Sequence, residues 1–158
     1  MKRRTHMLAD RAGIVSIEAA LMGGLLLVPL LSGAADIGLI LSGWAAATRA
    51  EQAGLLYAYS NGSGASASGI ESAALAAYGS TTPAPTVTAS TACYCLPTTS
   101  SWSIGTASAV ACTSTCASGD TLTAFVTVSV SATVALPVPL PGFASPYPVA
   151  ATATARLQ

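Results

Sequence analysis

At 158 residues the chain has room for one compact domain plus one accessory element. Charged residues make up only 8% of it, against roughly 25% in an ordinary soluble domain, and Ala, Ser, Thr and Gly fill the balance. Net charge is zero, yet Lys2, Arg3, Arg4 and Arg11 crowd the N-terminus while the stretch beyond Ser60 holds only Glu71, Asp120 and Arg156; with no basic surface to neutralise phosphates, nucleic acid is excluded as a partner.

The first element is a membrane helix. From Ile14 to Trp44 the residues are almost all apolar or small, and Glu18 and Asp36 bracket an uncharged stretch. On a helix these two acids stand roughly 27 Å apart, close to the ~30 Å hydrocarbon thickness of a bilayer. The basic cluster places the N-terminus in the cytoplasm, and Trp44 falls where an interfacial aromatic is expected on the far side. The expected organisation is a cytoplasmic leader at 1–13, a transmembrane and extended helix at 14–60, and an extracytoplasmic domain at 61–158. Arg49 and Glu51-Gln52 mark the entry into water, and Asn61-Gly62-Ser63-Gly64 breaks the helix. The competing reading is a secretory signal peptide cut near Ser32-Gly33-Ala34-Ala35. Against it, helical character persists from Ile37 to Tyr59, and Pro29 is tolerated within membrane helices. Ala20 with Gly24, and Ala34 with Gly38 and Ser42, place small residues on one helical face, which permits close approach of another helix in lipid. The alternative is that Gly and Ala are simply frequent here.

The run Ala12-Gly13-Ile14-Val15-Ser16-Ile17-Glu18 is the most specific signal. An ionised acid at a helix centre costs about 2.5–3.5 kcal/mol on insertion scales, less near the interface, so Glu18 needs a compensating charge. Cleavage between Gly13 and Ile14 supplies one: the new amino group lies one helical turn from Glu18, or next to the Glu18 of a neighbouring subunit. The alternative is an interfacial glutamate snorkelling toward the headgroups.

A second helix follows the break. Ser68-Gly69-Ile70-Glu71 fits a Ser-x-x-Glu capping box, Ile70, Ala74 and Tyr78 (or Ala73 with Ala77) form one face, and Gly79 is a suitable terminator. The clearest strand is Thr121 to Val134, where Leu122, Ala124, Val126, Val128, Val130, Ala132 and Val134 alternate with Thr, Phe or Ser. Pro137, Pro139, Pro141 and Gly142 form an extended connector to a last strand from Val149 to Leu157. Shorter strands are expected at Thr86 to Cys95 and Ala109 to Cys112. The fold class is α+β, an antiparallel sheet packed against helices.

Cys93, Cys95, Cys112 and Cys116 are closely grouped downstream of the membrane segment, which reads as a disulfide framework in an oxidising compartment. Residues at i and i+2 on a strand point to one face and bridge each other poorly. Bridges are therefore expected between the two pairs, stapling a hairpin whose loop is Leu96 to Ala111. A four-cysteine zinc site has atypical spacing, and no neighbour would depress a thiol pKa for redox catalysis. The sole histidine, His6, lies in the leader, and no histidine or lysine base follows Gly13 to activate a hydroxyl. Glu71 and Asp120 are isolated in sequence and expected to be solvated. The residues thus imply no enzyme, no metal and no cofactor.

The leader motif resembles the processing site of type IV pilin-like proteins, most closely the TadE-type pseudopilins of tight-adherence (Flp) pilus systems. Gly13 ends the leader, Glu18 takes the fifth position after it, and Pro29 sits in the membrane segment. The likeness extends through Ala46 to Gly54 and the C-terminal strand, proline-rich loop and strand ending Ala-Arg-Leu. It departs from the major fibre pilins at Ala19, where those carry an aromatic, and in having a substantial domain after the helix. The resemblance implies a minor pilin or pseudopilin of the inner membrane. Its implied partners are a prepilin peptidase, other pilin and pseudopilin subunits and an inner-membrane assembly platform, besides the lipid bilayer. The other functional class open to the chain is an exported cystine-containing adhesin released by signal peptidase.

Overall fold

Helix α1 spans Met7–Asn61 with Pro29 inside it. The computed structural model describes residues 7–79, 83–97, 107–138 and 144–157, with side chains from Ser16 on, Ser63 excepted. Lys2, Arg3, Arg4 and His6 of the leader and Pro139, Pro141 and Gly142 of the expected connector lie outside the described residues, as do the side chains of Arg11 and Ile14. In the first half of α1, Leu21, Leu25, Leu26, Leu27, Leu30 and Leu31 are exposed on every side, the pattern of a helix surrounded by lipid rather than by protein. Within Ser16–Asn61 an 18-residue window reaches a mean hydropathy of 2.0, so this helix is long and apolar enough to cross a membrane.

Past Trp44 the same helix becomes part of a folded head. A 3-10 turn at Gly62–Gly64 follows α1, then helix α2 at Ala67–Tyr78 and strands β1 (Thr86–Pro97), β2 (Asp120–Val134) and β3 (Tyr147–Arg156). The strands form one antiparallel sheet in the order β1-β2-β3. The result is the expected α+β class, a pilin-like arrangement of long helix, short helix and sheet. Val126, Val128, Val130 and Ala132 of β2 point toward the helices and are buried with Val149, Ile70, Ala74 and Tyr78.

Small residues let α1 lie against this sheet. Ala47, Ala50 and Ala58 are completely buried, and Gly43 and Gly54 fall on the same stripe by the 3.6-residue repeat. A Cβ on Gly43 would stand 2.5 Å from Val134 Cγ2, and one on Gly54 would stand 3.2 Å from both Ile70 Cγ2 and Val128 Cγ1. Because Gly43 meets the end of β2 and Gly54 its middle, α1 runs antiparallel to β2 and parallel to β3.

Three sequence expectations are corrected. The cap of α2 is Ser66, whose Oγ accepts from the Gly69 N–H at 3.1 Å. Ser68 is already inside the helix, so the expected Ser68–Glu71 box does not form; Ile70, Ala74 and Tyr78 make the buried face, and Ala77 is exposed. The partner of β1 is β2, with Pro97 opposite Asp120, whereas Ala109 to Cys112 makes only a single bridge, Val110 with Cys93. The valine run of β2 buries a continuous apolar face, and the short Ala-Val-Ala segment has no comparable area to offer. Lastly, Glu51 is 8% exposed: it lies on the head-facing side of α1 rather than in water.

Candidate functional site

Three regions carry the sequence-predicted residues. At the expected leader junction, α1 already begins at Met7, so the Gly13–Ile14 bond lies within continuous helix. Glu18 sits one turn beyond Ile14, exposed, and forms no hydrogen bond or ion pair among the described residues. Its carboxylate is thus presented outward from the apolar run, available to a charge from elsewhere.

Along the membrane stretch, Ala20, Gly24 and Pro29 line one shallow groove with Ile17, Leu21, Leu25 and Val28. Nothing lies within 4 Å of a Cβ placed on Gly24 or Gly38, and Ala34 is exposed. At about 100° per residue, Ala34 is half a turn away from Gly43. The small residues singled out from sequence therefore face away from the head, while the stripe that packs the head is a second, different set.

On the head-facing side the structure places two acids that sequence reading had assigned to water or headgroups. Asp36 is 2% exposed, and its Oδ2 is buried without a hydrogen-bond partner. Glu51 lies past Trp44, in the part of α1 that packs against the head, where burial pushes its carboxyl above the ordinary value. Their positions on the stripe through Gly43 and Gly54 are the only sequence signal for this burial, and it becomes readable only once that stripe is known to meet the sheet.

The head is stapled at one end. Cys93 pairs with Cys112 and Cys95 with Cys116, between the two pairs as expected. The segment holding Cys112 folds back along the outer edge of β1, where the Val110 N–H donates to the Cys93 carbonyl at 2.8 Å. Farther along that edge Glu71 Oε1 accepts from the Ala89 N–H at 3.1 Å. Glu71, expected to be solvated, instead caps a strand. The sheet face turned away from the helices is hydroxyl-rich: Thr127 Oγ1 is 2.8 Å from Thr154 Oγ1, and Ser129 Oγ is 2.9 Å from Thr152 Oγ1. Near the stapled end of the sheet Phe125 packs edge-on to Tyr94, with ring centroids 5.7 Å apart.

Among the described residues no three His, Cys, Asp or Glu side chains stand together as a metal site. Compared with protein-family models, curated proteins and solved structures, the chain matches none. The fold and these sites define a class: a helix able to span a membrane that continues, without a break, into a disulfide-bonded α+β head.

Proposed function

We propose that this chain is a minor pilin or pseudopilin of a tight-adherence type IV pilus or a related secretion or adhesion apparatus. The observation that carries the reading is the Gly13–Glu18 spacing at the start of an apolar helix that also forms the spine of the head. A prepilin peptidase cuts between Gly13 and Ile14, on the cytoplasmic side of the inner membrane. The mature chain stays in that membrane by α1, with its head in the periplasm, until the assembly platform incorporates it among other pilin and pseudopilin subunits. The face bearing Ala20, Gly24, Ala34 and Gly38 supports this reading, because it is free of the chain's own head and has the small side chains that close helix packing in lipid requires. Glu18 then pairs with the Ile14 amino group of a neighbour, offsetting the cost of an acid in the apolar run.

N-terminal sequencing of the mature protein tests the assignment. A start at Ile14 is the expected result. A start near Ala35 would identify an exported protein released by signal peptidase and overturn the proposal.

A further inference from the structure

Both strands that meet α1 at Gly43 leave the sheet in the same direction. A Cβ on Gly43 would meet Val134 at the end of β2 and Val149 near the start of β3. Because β2 runs antiparallel to α1 and β3 parallel to it, the connector between them lies beyond Gly43, toward the apolar half of the helix. The stripe of α1 on that side is covered well past the last strand residue. Gly33 and Asp36 are buried and Ile40 is half-buried, with about 15 Å of helix between Gly33 and Gly43. Leu136 is buried, and on the returning arm Ser145 Oγ donates to the Leu136 carbonyl at 3.4 Å, so the two arms descend together. The bilayer sets the depth they reach. A span takes about 20 residues, which counted from Ile17 end at Asp36. The connector thus stands beside the last turn of α1 that the hydrocarbon layer needs.

We infer that this connector is a second membrane contact, a foot of the head that rests in the outer edge of the bilayer α1 crosses; the inference rests on the anchored-subunit reading above. Pro137, Val138, Ala144 and Pro146 on its two arms are all exposed, Val138 to 55%. No charged residue occurs between Asp120 and Arg156, so nothing on the connector has to stay in water. On α1 near the same level Ile37, Leu41 and Trp44 are exposed too, so the foot is flanked by apolar helix surface of the kind that lipid covers. Non-helical chain is costly in hydrocarbon because its backbone N–H groups lose their water. Pro137, Pro146 and Pro148 have no N–H to lose, and a shallow seat ~5–10 Å into the headgroup and acyl boundary keeps the carbonyls near the interface. The same foot accounts for the burial of Asp36. Acids at membrane depth are turned toward protein rather than acyl chains. Here the connector supplies that protein, and because Asp36 Oδ2 has no hydrogen-bond partner, it acts by screening the carboxylate from lipid and not by bonding to it.

The test uses the full chain reconstituted in phosphatidylcholine–phosphatidylglycerol vesicles, with a nitroxide label on Val138→Cys. The four native cysteines are paired, so the added thiol is the one that reacts. Collision of the label with oxygen, which concentrates in hydrocarbon, is compared with its collision with a water-soluble nickel chelate. Leu25→Cys, in the exposed apolar half of α1, is the lipid reference, and Thr88→Cys, on the outer face of the sheet, is the water reference. The expected result is a loss of nickel collisions at 138 relative to 88, with oxygen collisions retained. Ala144→Cys repeats the reading on the returning arm, and near-ultraviolet circular dichroism checks that each labelled head is folded. Nickel contact at either arm equal to that at 88 overturns the inference. Shielding from both reagents overturns it too, since that would put another protein surface over the connector. The label at 25 separates this inference from the reading beneath it. Lipid at 25 with water at 138 defeats the foot alone and leaves the pilin assignment standing, whereas water at 25 defeats the anchored reading as well.

Discussion

Gly54→Val measures how tightly the membrane helix is built into the head. A Cβ at this position meets Ile70 Cγ2 and Val128 Cγ1 at 3.2 Å and Ala74 Cβ at 3.4 Å. Ile70 of α2 and Val128 of β2 are among the largest fully buried side chains. Alanine adds one carbon and regains about 1 kcal/mol of helix propensity over glycine. Its overpacking cost starts at about 1 kcal/mol, so Gly54→Ala should lie within about 1 kcal/mol of the parent. Valine adds two further carbons and regains less propensity, because its branched Cβ is stiff in a helix. The net loss should reach about 2–3 kcal/mol, a large share of what a small domain possesses. Thermal unfolding of the detergent-solubilised chain, followed by the near-ultraviolet circular dichroism of the head, reads this directly. Gly38→Val is the control, since a Cβ there has open space around it and should leave the transition unchanged. Equal transitions for the valine variants at 54 and 38 would refute the close approach of α1 to β2 and α2.

Gly13→Val should block maturation and leave a longer precursor in the membrane fraction, visible by mass; unchanged processing would remove the peptidase from the proposal. Glu18→Ala should be processed and inserted normally but fail to co-purify with the assembly, and normal piliation by this variant would make Glu18 a bystander. Alkylation of the non-reduced protein should find no free thiol. Replacing Cys95 and Cys116 together by Ser should cost roughly 2–3 kcal/mol, from the loop that their bridge closes. For Glu51 the folded state raises the carboxyl pKa, so the native chain holds this proton more tightly than the unfolded one. Stability is complete below the ordinary value of 4.5 and falls as pH rises through the raised value. Glu51→Gln should therefore melt higher than the parent at neutral pH, with the difference closing in acid. A constant difference across that range would exclude desolvation as its cause.

Periodicity alone determined most of the secondary structure. The unbroken apolar run could only be a long helix. The alternation from Leu122 to Val134 has no helical face, and spacing within each cysteine pair disfavoured a bridge between its own members. Those signals are local, set by 3.6-residue and two-residue repeats along the chain. What the tertiary structure decided is which of two small-residue stripes on α1 meets the head. Both Ala34-Gly38-Ser42 and Gly43-Ala47-Ala50-Gly54-Ala58 have the composition for close packing; only the second has a sheet and a second helix against it. That choice in turn buried Asp36 and Glu51, whose exposure no window of sequence could report. Long-range pairing decided the rest. β1 joined β2 across the stapled loop rather than the nearer Ala109–Cys112 segment, because burial is won by the whole face of a strand and not by proximity along the chain. Glu71, read locally as half of a helix cap, became the lid on a strand edge because α2 was laid beside β1.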